Sequence, residues 1–170
     1  MLRFLSLSSG SCGNCYYLEH TDSDGTPHAL LIDAGVSLRR LKQVLQANSL
    51  DENSFSSVLI THDHMDHIRS LASYCKRLKK PVYATSELHS ALAAHSFGEP
   101  YLGQCRCELM QDAWNDIDGF RVRYFVVPHD ATQTVGYYIV AGDRKFVIMT
   151  DLGRMPVMRL QSSLRSLSRR

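Results

Sequence analysis

Seven consecutive residues constrain this chain more than any others: Thr61-His62-Asp63-His64-Met65-Asp66-His67. Three histidines and two aspartates fall within six positions. The run before them, Ser57-Val58-Leu59-Ile60, is apolar and β-branched and reads as a buried strand. The run after them, Ile68 to Lys79, carries apolar or small residues at 68, 71, 72, 75 and 78 and reads as an amphipathic helix. The cluster therefore falls in a turn at the carboxyl end of a buried strand, where open α/β sheets place their ligand sites. Alternate residues of an extended loop point the same way, so His62 and His64 can converge on one cation. Asp66 and His67 open the following helix and can face a second. Imidazole combined with carboxylate suits zinc, manganese or iron, whereas oxygen ligands alone suit magnesium or calcium. A solvated polar turn accounts for one histidine, but not for this spacing behind a buried strand.

His129 and Asp151 each follow an apolar, strand-like run, and strand ends meet at one face of a sheet. Both can therefore reach the 62–67 loop. Asp33 ends another apolar run, His28 to Ala34, before Gly35. Its carboxylate can accept backbone N–H groups of the metal loop or bond the outer nitrogen of a ligand histidine. It can equally serve as a turn or helix cap.

Thr61-His62-x-His64-x-Asp66-His67 resembles the two-metal signature of the metallo-β-lactamase superfamily. Completion of the pattern by His67 matches its nuclease, glyoxalase and phosphodiesterase branches better than the true β-lactamases. Leu31-Ile32-Asp33-Ala34-Gly35, Val127-Pro128-His129-Asp130-Ala131 and Thr150-Asp151-Leu152-Gly153 are similar to its later motifs. With Ser9-Gly10-Ser11-Cys12-Gly13-Asn14-Cys15 they resemble a small bacterial subgroup, the WalJ/YycJ-like proteins, linked to 5′-to-3′ DNA exonuclease activity. The resemblance runs from about Leu5 to Gly153. It implies an α/β fold, the αββα sandwich, over residues 1–153. It implies that His62, His64 and His129 hold one divalent metal, that Asp66 and His67 hold another, and that Asp151 bridges them. Two such metals lower the pKa of a shared water, and Asp66 is placed to take its remaining proton. The expected reaction is phosphodiester hydrolysis in DNA. A glyoxalase-like thioester or lactone hydrolase and a metal-binding but inactive homologue are the alternatives. Subgroup members carry a further histidine in a C-terminal strand-helix half, and this chain has no histidine after His129. The fold is therefore expected to be incomplete in its C-terminal half.

Apolar content of 44% and charged content of 21% are ordinary for a globular chain of 170 residues with one core. No run approaches the roughly 20 apolar residues of a membrane span, and the start is too short for a signal-peptide core. A cytoplasmic protein is expected, with self-association into a homo-oligomer left open. Five cysteines do not make a disulfide framework. Cys12-x-x-Cys15 and Cys105-x-Cys107 read as reduced or buried thiols rather than a zinc site. Residues 1–153 hold fourteen basic residues against all seventeen acids, whereas 154–170 hold five arginines and no acid. That serine- and arginine-rich tail suits contact with nucleic-acid phosphates or plain solvation.

Further along the chain, strands are expected at 2–7, 14–19, 81–84, 108–110 and 120–127, and a hairpin at 134–150 around Ala141-Gly142-Asp143-Arg144. Helices are expected at 36–47 and at 86–96, the second capped by Ser86. Residues 97–104 read as loop. His20, His28, His89 and His95 read as surface residues, and Trp114 as packed under the 115–119 loop.

Overall fold

The structure is a computed structural model and describes residues 2–151; the serine- and arginine-rich tail lies outside them. The described chain forms two sheets and one helical layer. The first sheet has six strands in sequence order: β1 (Leu2–Ser8), β2 (Cys15–Thr21), β3 (Pro27–Ile32), β4 (Ser57–Leu59), β5 (Val82–Ala84) and β6 (Arg106–Glu108). β1, β2 and β3 run antiparallel, and β3 to β6 run parallel. The second sheet is an antiparallel meander of β7 (Asn115–Ile117), β8 (Phe120–Val127), β9 (Thr134–Ala141) and β10 (Arg144–Ile148).

Helices α1 (Leu38–Ala47), α2 (Met65–Ile68), α3 (Leu71–Leu78), α4 (Ser86–Ala94) and α5 (Glu99–Cys105) complete the described elements. One apolar cluster joins the helices to the first sheet, through Leu41, Leu45, Leu71, Tyr74, Leu88 and Leu92 against Leu31, Val58 and Val82. The other lies between the sheets, where Leu18, Leu30, Ile32 and Leu59 meet Phe120, Val122, Val135, Tyr137 and Ile139. β3 supplies both clusters because alternate residues point to opposite faces. Its continuous apolar run is the pattern of a central strand covered on both sides. Each fully buried leucine stabilises the fold by about 1.5–3 kcal/mol. Three layers of the expected αββα sandwich are thus present among the described residues. None of their helices is long and apolar enough to cross a membrane.

Several expectations need correction. The 97–104 segment is not a loop: residues 99–105 form α5, whose Leu102 and Cys105 are buried. Gly98, Pro100 and Gly103 hide that helix from a propensity reading. Thr85, not Ser86, caps α4, its side chain accepting the Leu88 N–H at 3.1 Å. The helix after the metal loop is broken into α2 and α3. β6 begins two residues earlier than expected, and β7 was not expected at all. Trp114 packs against Tyr138 and under Arg121, and 115–117 of the expected 115–119 loop form strand β7. His89 is buried, with Nε2 2.9 Å from the Cys107 carbonyl. His20 is buried and His28 half-buried, each with Nε2 2.8 Å from Asp22. His28 Nδ1 also faces Asp118 at 3.4 Å, which ties the β2–β3 hairpin to the second sheet. All five cysteines are free, and Cys15, Cys75 and Cys105 are buried.

Two predictions follow from the packing. A Cβ on Gly35 would stand 1.7 Å from the Asp66 carbonyl oxygen, whereas one on Gly103 would meet nothing within 4 Å. Denaturant unfolding should show Gly35→Ala destabilised by more than about 3 kcal/mol, and Gly103→Ala unchanged or stabilised by up to about 1 kcal/mol. Comparable losses at both sites would contradict the close approach of the two loops. The second prediction concerns His28. Burial opposes its charge, but the bonds to Asp22 and Asp118 outweigh it and raise its pKa above the ordinary 6.5. A raised folded-state value stabilises the fold fully below 6.5 and loses that contribution as pH climbs through the raised value. The melting-temperature gap between wild type and His28→Gln should therefore be widest in mild acid and narrow as pH rises; a gap independent of pH would refute it.

Candidate metal centre

The parallel strands β3 and β4 end side by side, and the chain beyond each carries the site. Beyond β3 lies Asp33, fully buried and in the left-handed backbone region at φ 65°. Aspartate tolerates that region better than most residues. Its Oδ1 accepts the Thr61 N–H at 2.8 Å, and its Oδ2 faces His67 Nδ1 at 2.7 Å and the Thr61 hydroxyl at 2.9 Å. Thr61 Oγ1 in turn lies 2.9 Å from His62 Nδ1. A hydroxyl carries one proton. With that proton given to Asp33, Thr61 accepts from His62 Nδ1–H. Asp33 thus sets the tautomer of His67 directly and of His62 through Thr61, leaving both Nε2 atoms as bases.

The backbone of this loop is bonded on all sides. Asp33 N–H donates to the Leu59 carbonyl, Ala34 N–H to His67, Asn14 N–H to Asp66 and Val135 N–H to Thr61, all within 2.9 Å. The last bond comes from the second sheet and brings the β8–β9 connection over the site. Thr132 of that connection donates its hydroxyl to Asp63 at 2.7 Å. His129, in the same connection, then reaches His64, with His129 Nε2 3.3 Å from His64 Nδ1.

Two sets of side chains converge. His62, His64 and His129 each offer a ligand atom, and these lie within 4.8 Å of one another. His62, His67 and Asp151 form a second set by the same measure. Asp151 Oδ2 is 2.8 Å from His67 Nε2 and 3.7 Å from His62 Nε2. Asp66 stands at the rim, its Oδ2 3.6 Å from His67 Nε2. All six residues singled out from the sequence therefore meet in one place, with Asp66 outside the two tight sets. Sequence reading missed Asn14, Thr61 as a relay, and the Asp63–Thr132 link. Asn14 alone had a signal, in the Gly13-Asn14 pair beside the glycine-rich turn.

The donor set fits divalent cations. His62 Nε2 is buried and has no hydrogen-bond partner, although buried polar atoms nearly always have one. Burial and the neighbouring His67 pull the His62 pKa down to about 4, so the ring is in its neutral, ligating form. Burial also acts to lower the His67 pKa, but the bond to Asp33 and the charges of Asp33, Asp151 and Asp66 overcome it and raise the value. The carboxylates that favour a proton on His67 would favour a cation in its place. Beside the two sets opens a cavity of about 500 Å³, lined among others by Ser9, Ser11, Asn14, Tyr16, Asp66 and Asp151.

The chain is similar in sequence and in structure to known proteins. Residues 28–167 match the β-lactamase superfamily domain. The chain is 32% identical over 154 residues to exodeoxyribonuclease YycJ of Bacillus anthracis, covering 89% of this chain and 55% of that protein. It is 28% identical to exodeoxyribonuclease WalJ of Streptococcus pneumoniae serotype 2, covering 89% of this chain and 54% of that protein. The chain thus spans about half the length of these curated relatives. Among solved structures, zinc-bound PqqB from Methylobacterium extorquens aligns with a TM-score of 0.61 at 20% identity, over 83% of this chain and 54% of that one. A metallo-β-lactamase-like protein from Thermotoga maritima aligns with a TM-score of 0.61 at 16% identity, over 87% and 77% respectively. With the family match covering most of its residues and the metallo-β-lactamase fold in its sheets, the chain belongs to the β-lactamase superfamily.

Proposed function

We propose that this chain binds two divalent cations and hydrolyses phosphodiesters in DNA, as a 5′-to-3′ exonuclease. The observation that carries the reading is the convergence of His62, His64, His129, His67 and Asp151 around the buried, unpartnered Nε2 of His62. The DNA substrate rests on the relatives named exodeoxyribonucleases. His62, His64 and His129 would hold one cation, and Asp66 and His67 the other, with Asp151 shared. Zinc suits this ligand set, and manganese or iron would also fit. Such a pair supplies Lewis acidity toward a phosphoryl oxygen and lowers the pKa of water.

The chain's own residues do the rest. Asp33 and Thr61 hold two imidazoles in the ligating tautomer. Asp66 lines the cavity beside the site, where its carboxylate would take a proton from the attacking water. The cavity, bordered by Asp66 and Asp151, would admit the substrate phosphate. The five free thiols suit a reducing cytoplasm.

Three substrates test the assignment: single-stranded DNA, bis-p-nitrophenyl phosphate and lactoylglutathione, each offered to the zinc- or manganese-loaded chain. Turnover of the two phosphodiesters is expected. Turnover of the thioester alone, or bound metal without turnover, would contradict it. His64→Ala should lose one cation by elemental analysis and bring hydrolysis to background; unchanged metal content would remove His64 from the ligand set. Asp33→Asn should weaken cation binding by about 10- to 100-fold, the usual cost of removing a residue that orients a ligand. Wild-type affinity in that variant would show that the buried carboxylate does not govern the imidazoles.

A further inference from the structure

Asn14 lies between the glycine-serine turn and β2 and is only 6% exposed. Its Oδ1 accepts the Gly10 N–H at 2.9 Å, which settles which end of the amide is oxygen. Its Nδ2 lies 2.9 Å from Asp66 Oδ2, 2.9 Å from His67 Nε2 and 3.3 Å from the Gly10 carbonyl. The backbone of Asn14 grips the same region: its N–H donates to the Asp66 carbonyl at 2.7 Å, and its carbonyl accepts the Gly35 N–H at 2.9 Å.

The loops are pressed together with no room for other side chains. A Cβ on Gly13 would stand 2.4 Å from the Gly35 carbonyl oxygen, and one on Gly35 2.5 Å from the Asn14 nitrogen. Asn14 is therefore the side chain that this contact delivers to the site. It reaches Asp66 and His67, and no bond ties it to His62, His64 or His129.

We propose that Asn14 is a positioning residue for the second cation alone, acting by holding the Asp66 carboxylate through its Nδ2. The inference rests on the two-cation reading above. The amide has two protons and three acceptors within reach. With His67 Nε2 given over to a cation, the amide would keep both protons for Asp66 and the Gly10 carbonyl. Asp66 Oδ2 then stays fixed, and Asp66 is held facing the site instead of sampling the open cavity beside it.

The test is a calorimetric titration of wild type and Asn14→Ala with zinc and with manganese, backed by elemental analysis and thermal melting. The expected result is an unchanged first equivalent and a second equivalent weakened on the order of tenfold or more. In an Asp66→Ala background the Asn14→Ala change should cost nothing further, because coupled residues are not additive. If the alanine variant does not fold, Asn14→Ser, too short to reach Asp66, should show the same split. Equal weakening of both equivalents would reduce Asn14 to a loop anchor, and no weakening would remove it from the site. Full additivity with Asp66→Ala, or a wild-type chain that takes a single equivalent, would equally overturn the proposal. Two equivalents with the expected split but no phosphodiester turnover would leave this inference standing and overturn the proposed function instead.

Discussion

Asp33 sits where no water reaches, and the centre depends on how its two oxygens are used. A buried carboxylate left without partners would cost far more than the fold can spare. Here it is met by a backbone N–H, a hydroxyl and an imidazole, all from the 61–67 loop. The same bonds that solvate the carboxylate hold the loop against the end of β3. They also fix ring orientation, so stability and site geometry come from one set of contacts. The left-handed backbone at Asp33 and again at Asp151, with φ of 65° and 50°, places carboxylates where the chain must turn sharply. Such conformations persist where the surroundings over-determine them.

The sheets explain why residues far apart in sequence meet. β3 and β4 run parallel, so Asp33 and the histidine loop emerge at the same edge. The second sheet packs its Val135, Tyr137 and Ile139 on that edge from the other side. Tyr137 donates its hydroxyl to the Ile60 carbonyl, directly before the metal loop. The connection carrying His129 is thereby held over the site. Convergence of the imidazoles follows from this sandwiching and needs no long-range charge effect.

The site was largely legible in the sequence because its residues are chemically rare in such spacing. His62, His64 and His67 are close in the chain, and His129 and Asp151 could be placed by the rule that strand ends share a face. Of the three roles open to Asp33 from the sequence, loop N–H acceptor and histidine partner are both realised in one residue. What stayed hidden depended on tertiary contact. His89 looks like a solvated helix residue until β6 brings the Cys107 carbonyl to its ring. α5 carries glycine and proline, and packing of Leu102 and Cys105 overrides their weak propensity. Asn14 is marked in the sequence only by its place beside the glycine-rich turn, and the contact of three loops turns it toward Asp66.

The most direct measurement is anomalous diffraction from crystals of this chain grown with zinc or manganese. A strong peak bounded by His62, His64 and His129 nitrogens at about 2.0–2.2 Å is expected. A second should lie about 3.5–4 Å away, against His67, Asp66 and Asp151. A map with no peak between those three imidazoles, at full metal loading, would contradict the account.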